Sequence, residues 1–217
     1  HQMGQLCREK GDFKGALENL LQAVDITRKT ANARDLAQCV RDLGVLHMYM
    51  GNTGEAFNTF QEAFELGSKG TETEVSSSSR LYQANLAVME NEPDKALAFL
   101  GEAVTLKREM GEPRSLLRTL AGASEILLEI QCAAGARELL EEAESLLEED
   151  TPRDICARLE AQRLLLDSDA DPAGAARQLE SVIRDLSGKK ELQAYMYLKL
   201  HGLTGKEEHR RAAVKSY

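Results

Sequence analysis

The side chains that could act as nucleophiles, general bases or metal ligands are scattered along this 217-residue sequence. Its four cysteines form no C-x-x-C pair and have no histidine at ligand spacing, so neither a zinc site nor a disulfide framework is predicted. They are Cys7, Cys39, Cys132 and Cys156. The sequence also has no glycine-rich phosphate loop, nucleophile elbow or H-E-x-x-H sequence. We therefore expect a protein that is not an enzyme and that needs no metal or cofactor.

The composition narrows the class of partner. The formal net charge is −9, which disfavours a nucleic-acid partner because proteins that hold phosphates usually show a basic face. No apolar run approaches the length that crosses a bilayer, and no cleavable signal opens the sequence, so we expect no membrane partner. Scattered cysteines favour a reducing compartment, and we expect a cytoplasmic protein.

The element that would position functional residues is clearest in residues 43–63, LGVLHMYMGNTGEAFNTFQEA. Its pattern is Gly44, Gly51, Ala56, Phe60 and Ala63. The small residues would let two helices approach to about 8–10 Å, and the phenylalanine would fill the remaining space. Gly51 has no Cβ to oppose a positive φ and predicts the end of the first helix. The segment therefore predicts a helix, a tight turn and a second helix.

The same pattern recurs at intervals of about forty residues. The other copies are Gly4, Gly11, Ala16, Leu20 and Ala23; Ala84, Asn91, Ala96, Leu100 and Ala103; Ser124, Gln131, Ala136, Leu140 and Ala143; and Ala175, Leu179 and Val182. We expect one array over residues 1–217, with repeats at about 1–30, 35–69, 75–110, 115–150 and 154–187, followed by a further or capping helix pair at 189–217. Since the sequence begins inside a helical pattern, we interpret it as a fragment of a longer protein.

These positions resemble the tetratricopeptide repeat (TPR) family, which places small residues at repeat positions 8, 20 and 27, a turn glycine at 15 and a large apolar residue at 24. The forty-residue form is similar to Pins/LGN-type adaptors, kinesin light chains and bacterial regulatory proteins. The resemblance implies an all-α fold, a right-handed α-α superhelix of tandem helical hairpins. The sequence departs from the family's aromatic at position 4, where it has Val40, Arg80, Leu120 and Leu159. His47 stands where the family packs tyrosine, which favours a core side chain over a base.

In the family, the first helix of each repeat lines a concave groove, and the resemblance carries that role onto this sequence residue by residue. The groove residues it implies are Gln38, Arg41, Val45, Met48, Tyr49, Ser78, Asn85, Val88, Met89, Arg118 and Glu125. Their mixture of apolar, polar and charged side chains would suit a peptide. For any one of them, ordinary packing or solvation is the alternative interpretation.

The resemblance implies a scaffold that binds a peptide or protein segment in this groove. A second hypothesis is a sensor or regulatory module of a larger signalling protein, and a third is self-association through the repeat ends into a homo-oligomer. The Hsp70 and Hsp90 C-terminal tails are disfavoured as ligands. Their carboxylate clamp needs lysine, asparagine and arginine where this sequence has His1, Gln5, Ser78 and Tyr82.

Two further segments carry expectations. Residues 68–79 form the longest polar connector and are predicted to be a loop. Residues 138–150, ELLEEAESLLEED, predict an acidic helix with an apolar stripe. A solvated outer face is the simpler interpretation of that helix, and a docking surface for a basic partner or for another copy of the chain is the other.

Overall fold

The computed structural model describes residues 13–70, 72–186 and 190–216, with no side-chain detail for residues 191 and 216. Within these ranges every regular element is an α-helix, so the predicted all-α fold class is confirmed. The helices are α1 (Phe13–Lys29), α2 (Ala33–Tyr49), α3 (Thr53–Gly70), α4 (Thr73–Met89), α5 (Pro93–Met110), α6 (Pro113–Glu129), α7 (Ala133–Ser145), α8 (Arg153–Leu166), α9 (Pro172–Asp185), α10 (Lys190–Thr204) and α11 (Glu207–Ser216). The positions predicted for the first repeat at Gly4 and Gly11, and the clamp positions His1 and Gln5, lie outside the described residues.

The protein divides into two compact units, His1–Thr119 and Leu120–Tyr217. In the first unit α1 packs against α2, α2 against α3, α3 against α4 and α4 against α5. In the second unit the same sequential packing links α7 to α8, α8 to α9, α9 to α10 and α10 to α11. Each unit is therefore a stack of neighbouring helical hairpins.

The predicted packing residues form the core of these hairpins. Ala56, Phe60 and Ala63 on α3 have no exposed surface. The equivalent alanine, leucine and alanine on α5 and on α7 are also buried. Gly44 lies against the Phe60 ring so closely that a Cβ there would stand 2.8 Å from two ring carbons. The small residue of α2 is therefore required by the large residue of α3.

The turns inside the hairpins repeat with the same geometry. Gly51, Asn91 and Gln131 all have left-handed backbones, with φ of 77°, 59° and 61°. The residue after each one donates its N–H to a carbonyl at the end of the preceding helix, over 2.8–2.9 Å. The left-handed turn predicted at Gly51 and Asn91 is confirmed. It also forms at Gln131, where the sequence signal is weak, because neighbouring packing fixes the hairpin.

The prediction of a loop over residues 68–79 is wrong. Helix α3 continues to Gly70 and α4 begins at Thr73. Ser76, Ser77 and Ser79 of this segment are buried. A Cβ on Gly67 would lie 2.5 Å from the Ser76 hydroxyl, and Ser77 donates a 3.0 Å hydrogen bond to the Ala103 carbonyl. These small polar residues permit close helix packing, and composition alone does not distinguish that role from a loop.

The acidic helix predicted over residues 138–150 is shorter than expected. Helix α7 ends at Ser145, where the hydroxyl donates to the Glu142 carbonyl over 2.6 Å. The next two backbone N–H groups bond three residues back, which tightens the backbone into a turn. Leu147 consequently lies exposed and is not part of an apolar stripe.

Arg80 occupies the position where an aromatic residue would be expected, and it is buried in α4. Its guanidinium lies 3.6 Å from the centre of the Phe64 ring and 2.6 Å from the Glu102 carboxylate. It also donates to the side-chain oxygens of Gln61 and Gln83 over 2.9 and 2.7 Å. The arginine thus ties α3, α4 and α5 together by stacking and hydrogen bonding instead of by an aromatic side chain.

Candidate functional site

A cleft of about 320 Å³ opens in the first unit between α1, α2 and α4. Its volume falls at the lower end of the roughly 300–1,000 Å³ typical of ligand sites, enough for a few atoms of peptide backbone and side chain. The lining residues are Leu20, Arg41, Asp42, Val45, Glu74, Ser78 and Tyr82. The cleft therefore combines an apolar surface with charged groups.

The apolar surface of the cleft rests on the repeat core. Leu20 and Val45 are both buried, and Val45 belongs to a cluster with Phe60 and Leu86. The Tyr82 ring stacks on the Phe60 ring, with centroids 4.9 Å apart and planes inclined by 11°. Because the phenylalanine is fully buried, the packing that forms the hairpin also holds the floor of the cleft.

One charged pair in the cleft comes from consecutive residues of α2. The Arg41 Nε and Nη2 atoms both donate to Asp42 Oδ1, over 3.1 and 2.9 Å. Only 11% of the aspartate side chain and 21% of the arginine side chain are exposed. The guanidinium is therefore held against the cleft by its own neighbour, and its geometry is restricted before any ligand arrives.

The other charged group, Glu74, lies in the first turn of α4. Its carboxylate accepts hydrogen bonds from the ammonium of Lys107 and, over 2.7 Å, from the hydroxyl of Ser115. Burial acts to raise the pKa of Glu74, but these two hydrogen bonds and the charges of Lys107 and Arg41 outweigh it and lower the pKa. Glu74 is thus held as a carboxylate.

Three of the predicted groove residues, Arg41, Val45 and Ser78, meet at this cleft. Met48 packs beside them against the cluster beneath the cleft. Ser78 donates a 3.1 Å hydrogen bond to the Val75 carbonyl, which occupies its hydroxyl proton.

The other predicted residues of α2 and α4 do not line the cleft. Gln38 and Val88 are half-buried, and Asn85 donates its side-chain amide to the Leu81 carbonyl over 3.2 Å. Tyr49 and Met89 end α2 and α4 with 43% and 63% of their surface exposed. The cleft therefore includes only part of the predicted set of groove residues.

Arg118 and Glu125 are the two predicted residues on α6. Arg118 is exposed, whereas Glu125 lies in the second unit with its carboxylate 3.8 Å from the guanidinium of Arg158. Burial raises the pKa of Glu125. The positive charge of Arg158 acts to lower this pKa, and the negative charge of Glu129 acts to raise it further. Glu129 itself pairs with Lys199 over 3.3 Å. These side chains form a charged cluster of the second unit.

Sequence reasoning missed four residues of the cleft: Leu20, Asp42, Glu74 and Tyr82. Asp42 follows Arg41 directly, so that adjacency is a usable signal. Glu74 falls inside the segment predicted to be a loop, and the sequence singles out Tyr82 only as a position of the carboxylate clamp. Leu20 is recognisable as a packing residue, and only the folded protein shows that its side chain also reaches the cleft.

Other reactive side chains do not assemble into a site. Over the described ranges no three His, Cys, Asp or Glu side chains are placed to hold a metal ion. Cys39, Cys132 and Cys156 are not joined by disulfide bonds in the part of the sequence that the structure describes. His47 is half-buried between helices, and its Nδ1 atom finds no hydrogen-bond partner in the described structure. None of the helices described is both long and apolar enough to cross a membrane.

Comparison with protein families identifies the repeats. Residues 1–69 match the family described as tetratricopeptide repeat. These first residues are therefore tetratricopeptide repeats. Residues 69–129 match the family described as anaphase-promoting complex subunit 5. A comparison with curated proteins gives no match.

Solved structures share this helical fold over nearly the whole sequence. The apo form of RapI superposes with a TM-score of 0.74 at 14% identity, over 99% of this chain and 80% of that one. Aspartyl phosphate phosphatase F from Bacillus subtilis gives 0.75 at 14% identity, over 99% of this chain and 58% of that one. The Rap conjugation gene regulator of plasmid pLS20, in complex with the Phr* peptide, gives 0.71 at 16%, over 98% and 60%. At these identities the likeness shows the fold alone.

Proposed function

We propose that the protein is an interaction scaffold and that the cleft between α1, α2 and α4 binds a peptide or protein segment. The observation that carries this proposal is the meeting of Arg41, Val45 and Ser78, chosen from their repeat positions, in one cleft of about 320 Å³. The pLS20 regulator, which shares the fold, has been solved with a peptide. Both facts support a peptide as the ligand.

The cleft is suited to binding and not to catalysis. Among the described residues that line it there is neither a histidine nor a cysteine. Its charged groups already pair within the protein, Arg41 with Asp42 and Glu74 with Lys107. A general base needs a reacting proton within reach and a pKa near the working pH, whereas the pKa of Glu74 is lowered. We therefore propose a scaffold without chemistry of its own.

The class of partner follows from the charges. Glu74 would repel the C-terminal carboxylate of an Hsp70 or Hsp90 tail, which supports the expectation that these tails do not bind. The net charge of −9 likewise supports a protein partner over a nucleic acid. A cytoplasmic location and association into a homo-oligomer stay predictions.

A regulatory module of a larger protein is the second proposal. It is favoured by the comparison with the plasmid pLS20 regulator and with the phosphatase, of which this sequence spans 60% and 58%. The two proposals are compatible, since a scaffold that binds a peptide can report that binding to an attached domain.

The test uses a variant that fills the cleft. Ser78→Tyr places a ring in the cleft, while Thr105→Tyr adds the same ring at an exposed site on α5. Affinity capture with crosslinking mass spectrometry is applied to the wild type and both variants, with melting curves as a folding control. We expect crosslinks at the cleft for the wild type and Thr105→Tyr, and their loss for Ser78→Tyr. Equal recovery of the same crosslinked partner by a folded Ser78→Tyr would refute the assignment.

A further inference from the structure

Glu74 belongs both to the cleft and to an ion pair with a buried lysine, while its own side chain is 56% exposed. Its partner Lys107 has only 2% of its side chain exposed, and the ammonium also donates to the Ser115 hydroxyl over 2.6 Å. A buried ammonium without a carboxylate would be strongly unfavourable, so this arrangement holds the Glu74 side chain in one position. The lysine on α5 and the serine on α6 thereby fix a group that lines the cleft.

The two partners leave part of Glu74 open. Both Lys107 and Ser115 donate to the Oε2 atom, and Oε1 accepts no hydrogen bond from the residues that the structure describes. Across the same cleft, Arg41 uses Nε and Nη2 for Asp42, and its Nη1 atom has no partner within the described ranges. The cleft therefore offers one fixed acceptor and one fixed donor.

The described charged groups around these two atoms pair with one another, Arg41 with Asp42 and Lys107 with Glu74. A charged ligand group would therefore lose its water on binding and find no unpaired opposite charge among them. A neutral group that has one N–H donor and one carbonyl acceptor meets both open atoms without that cost. This group is the secondary amide of a peptide backbone.

We propose that Glu74 is a specificity-determining residue that accepts a backbone N–H of the bound peptide, with Arg41 donating to a backbone carbonyl oxygen. Lys107 is its positioning residue. An apolar side chain of the same peptide lies on Val45 and Leu20. This inference rests on the proposed function of the cleft and adds the chemical group that is recognised there.

The probe is a positional library of hexapeptides that are N-acetylated and C-amidated, so that they carry no terminal charge. Peptides that bind the wild type but not Ser78→Tyr are resynthesised with one N-methyl group at each backbone nitrogen in turn. We expect one position at which methylation weakens binding roughly tenfold or more, because a hydrogen bond to a charged acceptor is lost. The other positions serve as controls.

Variants of the protein then assign that position. Glu74→Met combined with Lys107→Met removes both members of the ion pair together, which avoids leaving a buried charge. We expect this double variant to bind the methylated and unmethylated peptides alike. Glu74→Gln, which keeps the side-chain shape, should retain a smaller methylation effect, and so should Lys107→Met alone, which keeps the carboxylate but loses its support.

The outcomes separate this inference from the proposed function. If the folded double variant or Glu74→Gln still loses as much affinity on N-methylation of the peptide as the wild type does, Glu74 is only structural. An unchanged effect in Lys107→Met would remove the positioning role. If the N-acetylated peptides fail to bind while the same sequences with a free N-terminus bind, the recognised group is a terminal ammonium and backbone recognition is overturned. If Ser78→Tyr binds every peptide as tightly as the wild type does, the proposed function of the cleft is refuted, whatever the role of Glu74.

Discussion

Replacing Gly44 by alanine tests the packing that supports the cleft. A Cβ at this position would lie 2.8 Å from the Cδ1 and Cε1 atoms of the Phe60 ring, closer than van der Waals contact allows. The ring has no exposed surface and stacks on Tyr82, so it has little room to move. The methyl group therefore displaces either the ring or helix α2.

The magnitude follows from two opposing effects. Alanine in place of glycine inside a helix stabilises it by about 1 kcal/mol. Overpacking a well-packed core costs about 1–3 kcal/mol. Gly101 in α5 provides the matched control, since a Cβ built there meets no described atom within 4 Å apart from its own helix backbone. We expect Gly101→Ala to show the helix-propensity gain alone, so that Gly44→Ala is less stable than Gly101→Ala by about 1–3 kcal/mol.

Two measurements check this expectation. Urea unfolding followed by circular dichroism gives the stability difference between the two variants, and hydrogen exchange of the α2 and α5 amides locates it. Phe60→Leu should be less costly in the Gly44→Ala background than in the wild type, because the smaller side chain relieves the clash. If Gly44→Ala is as stable as Gly101→Ala, or if the two substitutions at the contact are additive, the close-packing argument is refuted.

Three further predictions concern other parts of the protein. Arg80→Met should lower the free energy of unfolding by about 2–3 kcal/mol in urea titration, because it leaves the buried amide of Gln83 without its arginine donor; a loss no larger than that of an exposed arginine such as Arg118 would contradict the network. Gln131→Gly should increase the free energy of unfolding by up to about 1 kcal/mol and so raise the thermal midpoint, since glycine adopts a positive φ without a Cβ penalty. A lower midpoint would count against a left-handed turn there. Glu125 has its pKa raised above 4.5 by burial, so the folded state binds this proton more tightly than the unfolded state, and its contribution to stability falls as pH rises from about 4.5 through the folded-state value. Unfolding titrations across that range should therefore show a stability difference between wild type and Glu125→Gln that varies with pH, and a constant difference would refute the assignment.

The hairpins could be predicted because their information is local. A small residue, a turn residue and a large apolar residue at fixed spacing specify two helices and their contact, and the buried positions of Ala56, Phe60 and Ala63 confirm it. Even the left-handed turn at Asn91 could be predicted, because few residue types adopt a positive φ easily. Such features depend on residues within one repeat.

The helix boundaries were harder to predict where polarity misleads. Ser76 and Ser77 look like loop residues, yet both are buried and hydrogen-bonded in α4. What decides their structure is the absence of a side chain at Gly67 on the preceding helix, and the carbonyl of Ala103 on the following one. Ala103 is far from these serines in sequence, and Gly67 acts by letting two helices approach closely. A local sequence pattern reveals neither partner.

The sequence by itself determined the repeat and the all-α class, and its resemblance to the TPR family implied Arg41, Val45 and Ser78 as groove residues. Only the tertiary structure decided which of the predicted residues meet, and it added Glu74, whose role depends on Lys107 on another helix. The physical reason is that periodicity fixes the direction of a side chain around its helix. The cleft, in contrast, is produced by the packing of three helices, and its open hydrogen-bonding atoms are those that the two ion pairs leave unused.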